Sequence, residues 1–334
     1  MKGTNKRIEI AKRKKDDEFY TTMQDVEKII ETFKDKIRGK FVFCNCDDPE
    51  KSNFSIYLRE NFARLGLKRL VCLELGGRLY DSDKGDEIMN LQSGDFRCEE
   101  SVDILKKCDI VITNPPFSLF IKYMEMLFEY GKDFIVIGSN LSVRKHILRY
   151  KILYKKVFVY NILTNYYNHN GKTARVATYV YSNIHKQQQP KKTIKFMKYS
   201  NIQQQQQPKK TIKFMKYDNI DAIEIGALND VPHDYYGVVG VSIACINRID
   251  TDEYEVIGFS DEDKVYTDIH RYEGGIMHSP DGKIKKYNQI NKKTVIEVTD
   301  DMIDDKTTWY EAENFKGKKF IIMFQRVFIR RKKK

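Results

Sequence analysis

Residues 108–117 read Cys-Asp-Ile-Val-Ile-Thr-Asn-Pro-Pro-Phe, an apolar run that ends in two prolines. The run is β-branched, carries no charge after Asp109 and is too short for a helix, so it predicts a short buried strand. Proline cannot continue a strand ladder, and it pushes the preceding residue out of the helical region. The chain should therefore leave the sheet at Asn114 in a stiff, extended turn. Open α/β folds bind their ligands at this carboxyl edge of the sheet, so we expect a site there.

The composition of the turn suits one kind of chemistry. An amino group conjugated to a purine or pyrimidine ring is a poor nucleophile because its lone pair is delocalised. Two acceptors beside it, the Asn114 side-chain oxygen and the Pro115 carbonyl, can hold both hydrogens and let the nitrogen pyramidalise. Phe117 can then stack on the ring. The alternative interpretation is a proline-rich strand-to-helix turn with a core phenylalanine.

Strands and helices alternate through the N-terminal half. Thr22 and Asp25 predict a capping box before a helix with one buried face, and Ser118 is expected to cap the helix after the turn. Further strands are predicted at 40–48, 69–75, within 86–93 and at 133–140, and two more, at 156–162 and 174–184, flank a turn at 168–171. This order predicts an α/β fold with a mainly parallel sheet that ends in a hairpin.

Acidic residues follow three of these strands. Asp47 and Asp48 end the first, Glu74 the second and Asp95 the third. An acid after the second strand of such a sheet binds ribose hydroxyls, and Asp95 could accept a hydrogen bond from the adenine amino group of a cofactor. The alternative is that these acids are ordinary loop residues or helix caps.

Composition limits the class of protein. A chain of 334 residues is long enough for two domains, and a net charge of +12 indicates a polyanionic partner. The sequence contains no apolar stretch long enough to span a membrane and no apolar signal segment at its start. Scattered cysteines indicate a reducing cytosol, so we expect a cytoplasmic, DNA-associated protein. Cys44 and Cys46 have no second Cys/His pair at zinc-finger spacing, so no metal is expected.

The C-terminal third has a different pattern. Residues 187–220 contain a tandem repeat, with Pro190 and Pro208 marking its period of 18, which predicts a surface insertion. Beyond it, strands predicted at 238–246, 254–259, 293–298 and 319–329, with an Asp-Gly turn at 281–282, indicate a small β-rich region. His270 and His278 are interpreted as surface histidines. Candidates for DNA contact are Arg248, Arg271, Lys283, Lys285 and Lys286.

Asn-Pro-Pro-Phe resembles motif IV of the amino-methyltransferases that use S-adenosylmethionine. Taken together, residues 17–21, 44–49, 94–96, 113–119, 216–222 and 234–241 resemble the EcoRI-type family of adenine-specific DNA methyltransferases. The Cys-Asn-Cys-Asp-Asp-Pro stretch at 44–49 is the most specific part. It stands where methyltransferases at large have a glycine-rich first loop.

The resemblance implies a Rossmann-like, seven-stranded methyltransferase sheet whose last strand is antiparallel. It implies S-adenosylmethionine as cofactor and a flipped-out adenine in double-stranded DNA as substrate. The target base would be held by Asn114, Pro115, Pro116 and Phe117. The cofactor would be bound by Asp17, Glu18, Phe19, Tyr20, Asn45, Cys46, Asp47, Asp48, Glu74, Asp95 and Phe96.

The same resemblance divides the chain into a catalytic domain (1–185), a low-complexity linker (186–218) and a DNA target-recognition region (219–334). A monomer is expected, and a cognate restriction endonuclease could act on the same site without forming a stable complex. Two alternatives stay open: an RNA or protein-glutamine amino-methyltransferase, and a catalytically silent DNA-binding protein.

Overall fold

The computed structural model describes residues 20–164, 166–169, 172–185 and 214–333. The chain divides into two compact units, residues 1–189 and 190–334. Asp17, Glu18 and Phe19, which the sequence assigns to the cofactor, lie outside the described residues, as does most of the tandem repeat.

The first unit is built on one large sheet. The strands of this sheet and of a separate three-stranded sheet are, in chain order, β1 (Tyr20–Thr21), β2 (Phe41–Cys44), β3 (Arg69–Leu73), β4 (Arg78–Asp81), β5 (Ile88–Asn90), β6 (Ile110–Thr113), β7 (Asp133–Ser139), β8 (Phe158–Tyr160), β9 (Tyr166–His169), β10 (Lys172–Arg175) and β11 (Thr178–Ser182). The large sheet has the order β5-β4-β3-β2-β6-β7-β11-β8. Strands β3, β2, β6 and β7 form its parallel centre, and β4 and β11 run against the other six. The predicted mainly parallel α/β sheet is therefore confirmed.

The number of strands differs from the prediction, because the large sheet has eight strands and not seven. After β3 the chain turns back through Gly76 and Gly77, and the Gly77 amide bonds the Glu74 carbonyl at 3.0 Å. Strands β4 and β5 then add to the edge as an antiparallel hairpin, so the segment before Asp95 is not the parallel strand expected from the sequence. Two adjacent glycines are a known hairpin signal, which the sequence analysis overlooked.

The end of the sheet is also more elaborate than predicted. Strands β8 and β11 pair antiparallel, as expected from the sequence. Between them, β9 and β10 form a separate hairpin that pairs with β1 in a three-stranded sheet.

Six helices accompany the sheet in the described part of this unit: α1 (Met23–Ile37), α2 (Asn53–Glu60), α3 (Phe62–Leu65), α4 (Glu99–Lys107), α5 (Phe120–Glu129) and α6 (His146–Leu153). The predicted face of α1 is buried, with Ile29 and Ile30 among its core residues. Strands β2 and β6 are buried along their whole length, as expected for central strands of a parallel sheet.

The capping box at the start of α1 is only half formed. The Thr22 side chain accepts from the Asp25 amide at 3.4 Å, as predicted. The Asp25 carboxylate does not return to the cap, because it accepts hydrogen bonds from the amide and hydroxyl of Thr164 at 2.7 to 3.1 Å. A distant residue thus takes the place of the local partner.

The second unit is β-rich, as predicted. Its strands are β12 (Ile223–Gly226), β13 (Val238–Ser242), β14 (Tyr254–Phe259), β15 (Gly275–His278), β16 (Ile284–Lys286), β17 (Thr294–Val298), β18 (Trp309–Ala312), β19 (Lys319–Met323) and β20 (Arg326–Arg331). They form two sheets, with the orders β12-β13-β20-β14 and β16-β15-β18-β19-β17.

Three details of this unit differ from the sequence-based expectation. The predicted strand at 319–329 is divided at residues 324–325, so β19 and β20 belong to different sheets. The strand predicted at 238–246 ends at Ser242 and continues as a 3-10 helix. Tyr217, placed in the linker by the sequence analysis, is buried in the core of this unit.

Candidate active site

The Asn-Pro-Pro-Phe turn lies directly after β6, at the carboxyl edge of the sheet. Pro115 is buried, while Asn114 and Phe117 are half-buried, and Phe117 packs against the core of the first unit. The Pro116 carbonyl accepts from the Leu119 amide at 3.0 Å, and α5 begins only at Phe120. The predicted cap is therefore wrong: Ser118 is exposed and precedes the capping position, which Leu119 occupies without a side-chain hydrogen bond.

Asp47 connects the loop after β2 to this turn. Its carboxylate is 4% exposed and accepts hydrogen bonds from the hydroxyls of Ser52, at 2.6 Å, and Thr113. It also accepts a hydrogen bond from the Asn114 backbone amide. Burial raises the pKa of Asp47 to about 6, although these three hydrogen bonds act in the opposite direction. One buried carboxylate thus fixes the backbone at which the turn begins.

Ser52 and Thr113 are functional candidates that the sequence analysis missed. Thr113 could have been found, since it immediately precedes Asn114 and its side chain must lie at the same sheet edge. Ser52 had no signal beyond being a suitable cap for α2, a role it also has through the Phe54 amide at 3.2 Å.

Asp48 and Glu74 form a second carboxylate cluster, at the ends of β2 and β3. Asp48 is 3% exposed; burial opposes its ionisation, but the amides of Glu50 and Lys51 and a hydrogen bond with Glu74 hold the pKa of Asp48 below its ordinary value. Burial and the hydrogen bond and charge of Asp48 raise the pKa of Glu74 to about 7. Asp48 therefore ionises more readily than Glu74, and an Arg78 guanidinium nitrogen lies 3.1 Å from the Asp48 carboxylate.

Asn45 and Phe96 meet at Tyr123 of α5. Asn45 is completely buried, and its side-chain oxygen accepts from the Tyr123 hydroxyl. Among the described residues its amide nitrogen has no hydrogen-bond partner. The Phe96 ring, 1% exposed, packs edge-on against Tyr123 with centroids 5.1 Å apart. Two predicted cofactor residues, far apart in sequence, are thus linked through a buried tyrosine of α5.

The loop carrying Asp95 is held against the end of β3 by a close backbone approach. A side chain at Gly94 would place its Cβ 1.5 Å from the Glu74 carbonyl oxygen, so only glycine fits there. The Asp95 carboxylate accepts from the Arg97 guanidinium at 2.5 and 2.8 Å, and these bonds hold the pKa of Asp95 below its ordinary value. Asp95 is therefore ionised at neutral pH.

Two further predicted cofactor residues, Cys46 and Tyr20, lie in the loop after β2 and in strand β1. Cys46 is half-buried in the loop after β2. The Tyr20 backbone pairs with Asn168 in the small sheet. The loops after β2, β3 and β6 therefore place most of the described cofactor and base-binding candidates at one edge of the sheet.

The five predicted DNA contacts all belong to the second unit, and they differ in their surroundings. Arg271 makes a two-bond ion pair with Asp218, at 2.7 and 3.2 Å, so its guanidinium stabilises the fold. Lys283 is paired with Asp281 at 2.6 Å. Arg248, Lys285 and Lys286 are exposed.

The two histidines have different positions. His270 is exposed. His278 is half-buried: its ring stacks on Trp309 with centroids 3.7 Å apart, and its Nε2 lies 3.4 Å from a Glu311 oxygen. Over the described ranges, no group of three or more His, Cys, Asp or Glu side chains is arranged to hold a metal ion. In the same ranges, no helix is long and apolar enough to cross a membrane.

The mostly parallel sheet, the carboxylates at its edge and the Asn-Pro-Pro-Phe turn beside them are consistent with a methyltransferase fold. Comparison with known proteins narrows this class. The family described as adenine-specific methyltransferase EcoRI matches residues 7–89 and 78–332. The chain belongs to this family, which confirms the resemblance seen in the sequence.

Three curated relatives are similar to part of the chain. Type II methyltransferase M.EcoRI of Escherichia coli is 38% identical over 180 residues, covering 47% of this chain and 52% of the relative. Type II methyltransferase M.MpnI of Mycoplasma pneumoniae is 40% identical over 139 residues, covering 40% and 44%. Type II methyltransferase M.MgeORF184P of Mycoplasma genitalium is 33% identical over 184 residues, covering 50% and 58%. The chain thus spans about half the length of the curated relatives it matches.

Proposed function

We propose that this protein transfers a methyl group from S-adenosylmethionine to the exocyclic amino group of adenine in double-stranded DNA, at a specific site. Family membership supports methyl transfer to DNA. The observation that carries the proposal is the position of Asp47, whose carboxylate joins the loop after β2 to the backbone of Asn114. A cofactor loop and a base-binding turn would need such a connection to hold their ligands in contact.

The turn would act by positioning the amino group. The Asn114 side-chain oxygen and the Pro115 carbonyl would accept the two amino hydrogens, so that the nitrogen lone pair points at the methyl group. The half-buried Phe117 would stack on the base. Because the amino group of a paired adenine cannot reach a pocket in the protein, the base must first leave the duplex, at a cost of about a few kcal/mol.

The residues at the sheet edge fit S-adenosylmethionine. The Asn45 amide is a buried donor without a partner among the described residues, which a cofactor carboxylate or carbonyl could satisfy. Glu74 and Asp95 follow the second and third predicted strands. The Glu74 carboxylate could accept hydrogen bonds from ribose hydroxyls, and the Asp95 carboxylate could accept one from an adenine amino group. When bound, S-adenosylmethionine would supply an electrophilic methyl group on sulfur. The protein residues would orient it and exclude water.

The remaining assignments are parts of the same proposal. Residues 1–185 would form the catalytic domain, residues 186–218 a linker and residues 219–334 the target-recognition region. We expect a cytoplasmic monomer that binds DNA, with a cognate restriction endonuclease acting on the same site. An RNA or protein-glutamine methyltransferase is less well supported, because the family match extends through residue 332 and the matched relatives are named type II methyltransferases.

The test is the variant Asn114→Ala. It removes the side-chain acceptor but keeps the backbone amide that bonds Asp47, so folding and cofactor affinity should be unchanged. Transfer of tritiated methyl groups to duplex DNA should fall by about 100-fold or more. Calorimetry with S-adenosylmethionine measures cofactor binding in the same variant.

The matched control is Asn90→Ala, because Asn90 is exposed on the edge strand β5. It should retain parental transfer. Normal turnover by Asn114→Ala would refute the assigned role of the turn. Long-read sequencing of DNA from cells that express the chain would identify the methylated base, and a methylated cytosine would overturn the assignment to adenine.

A further inference from the structure

Phe324 is the most exposed of the large apolar side chains described, with 82% of its surface accessible. It lies in the two-residue connection between β19 and β20, which belong to different sheets of the second unit. An isolated apolar residue on a surface is common. Phe324 is different because its backbone is held in place and its surroundings are cationic.

The backbone at Phe324 is fixed by Arg326. This guanidinium donates to the Glu224 carboxylate at 2.9 and 3.2 Å, in an ion pair whose side chains are 11% and 3% exposed. It also donates to the Phe324 carbonyl oxygen at 3.0 Å. The Arg326 amide bonds the Ser260 hydroxyl at 3.0 Å. The exposed ring is therefore presented by a rigid connection, so little ordering entropy would be lost when it binds a partner.

Phe324 lines a groove of about 590 Å³ within the second unit. Three lysines, Lys292, Lys293 and Lys306, line the same groove, and Asp261 is the one carboxylate among its lining residues. In the described part of the chain, Lys292 and Lys293 make no ion pair. This contrasts with Arg271 and Lys283, whose charges are neutralised by aspartates.

We propose that this groove binds duplex DNA, with Lys292, Lys293 and Lys306 contacting phosphates and Phe324 stacking on or between bases. Unpaired cations recognise the phosphate backbone, and apolar wedges such as phenylalanine unstack base steps in proteins that deform DNA. Gln325 beside the ring lines the same groove, and its buried side-chain oxygen accepts no hydrogen bond within the described residues. The inference rests on the proposed function, but it assigns DNA contact to residues that the sequence analysis did not select.

The first test measures binding of a fluorescein-labelled, mixed-sequence duplex to the full chain by anisotropy, without methyl transfer. Phe324→Ala should raise Kd by about 5- to 150-fold. Phe324→Trp, which keeps an aromatic face, should restore binding to near the parental value. Cofactor affinity and the melting temperature should be unchanged in both variants, because the ring is exposed and outside the first unit.

The second test uses charge. The triple variant Lys292→Gln, Lys293→Gln, Lys306→Gln should reduce the slope of log K against log salt by about 0.9 for each phosphate that the protein no longer neutralises. The variant Lys283→Gln, Lys285→Gln, Lys286→Gln removes the same charge from the β15–β16 hairpin and tests the DNA contacts selected from the sequence. The matched control, Lys28→Gln, Lys34→Gln, Lys36→Gln, removes the same charge from the exposed side of α1 and should leave the slope close to that of the parent.

Each other outcome overturns the proposal. If the groove variants bind DNA like the parent, or if the hairpin variant alone reduces the slope, DNA binds elsewhere. If Phe324→Ala changes the sedimentation coefficient but not the DNA affinity, the ring contacts a second copy of the chain. A parent chain that binds S-adenosylmethionine but no duplex would refute both this proposal and the proposed DNA substrate. A parent that methylates DNA, with groove variants that bind DNA as tightly as the parent, would refute the role of the groove alone.

Discussion

Replacing Asp47 by asparagine should change how the stability of the first unit depends on pH. Burial raises the pKa of Asp47 from 3.8 to about 6. Between these values the folded state retains a proton that the unfolded state has released. Stability must therefore fall as pH rises from about 4 to about 6, and it should level off above that. At 1.36 kcal/mol for each pH unit, the decrease is about 3 kcal/mol. The asparagine of Asp47→Asn cannot ionise, so the variant should not show this decrease in stability.

The measured quantity is the difference in free energy of unfolding between parent and variant. It should shift by about 3 kcal/mol in favour of Asp47→Asn between pH 4 and pH 7, since other titrating groups contribute equally to both proteins. The sequence contains one tryptophan, Trp309, in the second unit. Urea unfolding followed by circular dichroism reports both units, whereas tryptophan fluorescence reports the second unit and serves as an internal control. A difference that is constant from pH 4 to pH 7 would show that Asp47 has an ordinary pKa and would refute the reasoning.

Two further substitutions test the packing, one in each unit. Gly94→Ala would bring a methyl group against the Glu74 carbonyl, so the loop must move. We expect a lower melting temperature and, by calorimetry, weaker binding of S-adenosylmethionine; unchanged values would contradict the close approach. Arg326→Met leaves the buried Glu224 carboxylate unpaired and should cost about 3–5 kcal/mol by tryptophan-monitored unfolding. Arg330→Met, in a half-exposed ion pair, is its control and should cost less than about 1 kcal/mol.

The parts of the fold that the sequence predicted are those set by local pattern. The buried face of α1 repeats with helical period, and the central strands β2, β3 and β6 are short apolar runs bounded by turns. Hydrophobic burial imposes these patterns on each segment separately, so they can be found without knowing the neighbours. The same reasoning placed Asn114 and the acids after β2 and β3 at one edge, because parallel strands end on the same side.

What the sequence did not predict depends on contacts between distant segments. Asp25 has a suitable local partner in Thr22, yet its carboxylate bonds Thr164, which is 139 residues away. Arg271 was selected for DNA contact by its charge alone, and nothing local indicates that Asp218 neutralises it. Phe324 was predicted to lie within one long strand. It is exposed because β19 and β20 belong to two different sheets, and no local pattern indicates that separation.

The Asn-Pro-Pro-Phe turn is constrained from both sides, and neither constraint is sufficient alone. The proline after Asn114 restricts that residue to extended conformations, but the allowed range of ψ still spans about 40°. Asp47 adds the second constraint: by accepting the Asn114 amide it fixes the peptide plane between Thr113 and Asn114, and its own position is set by Ser52 and Thr113. A catalytic acceptor must be held to within about 0.5 Å. Since the carboxylate that supplies this precision comes from the loop after β2, that loop and the turn form one structural element, although 66 residues separate Asp47 from Thr113.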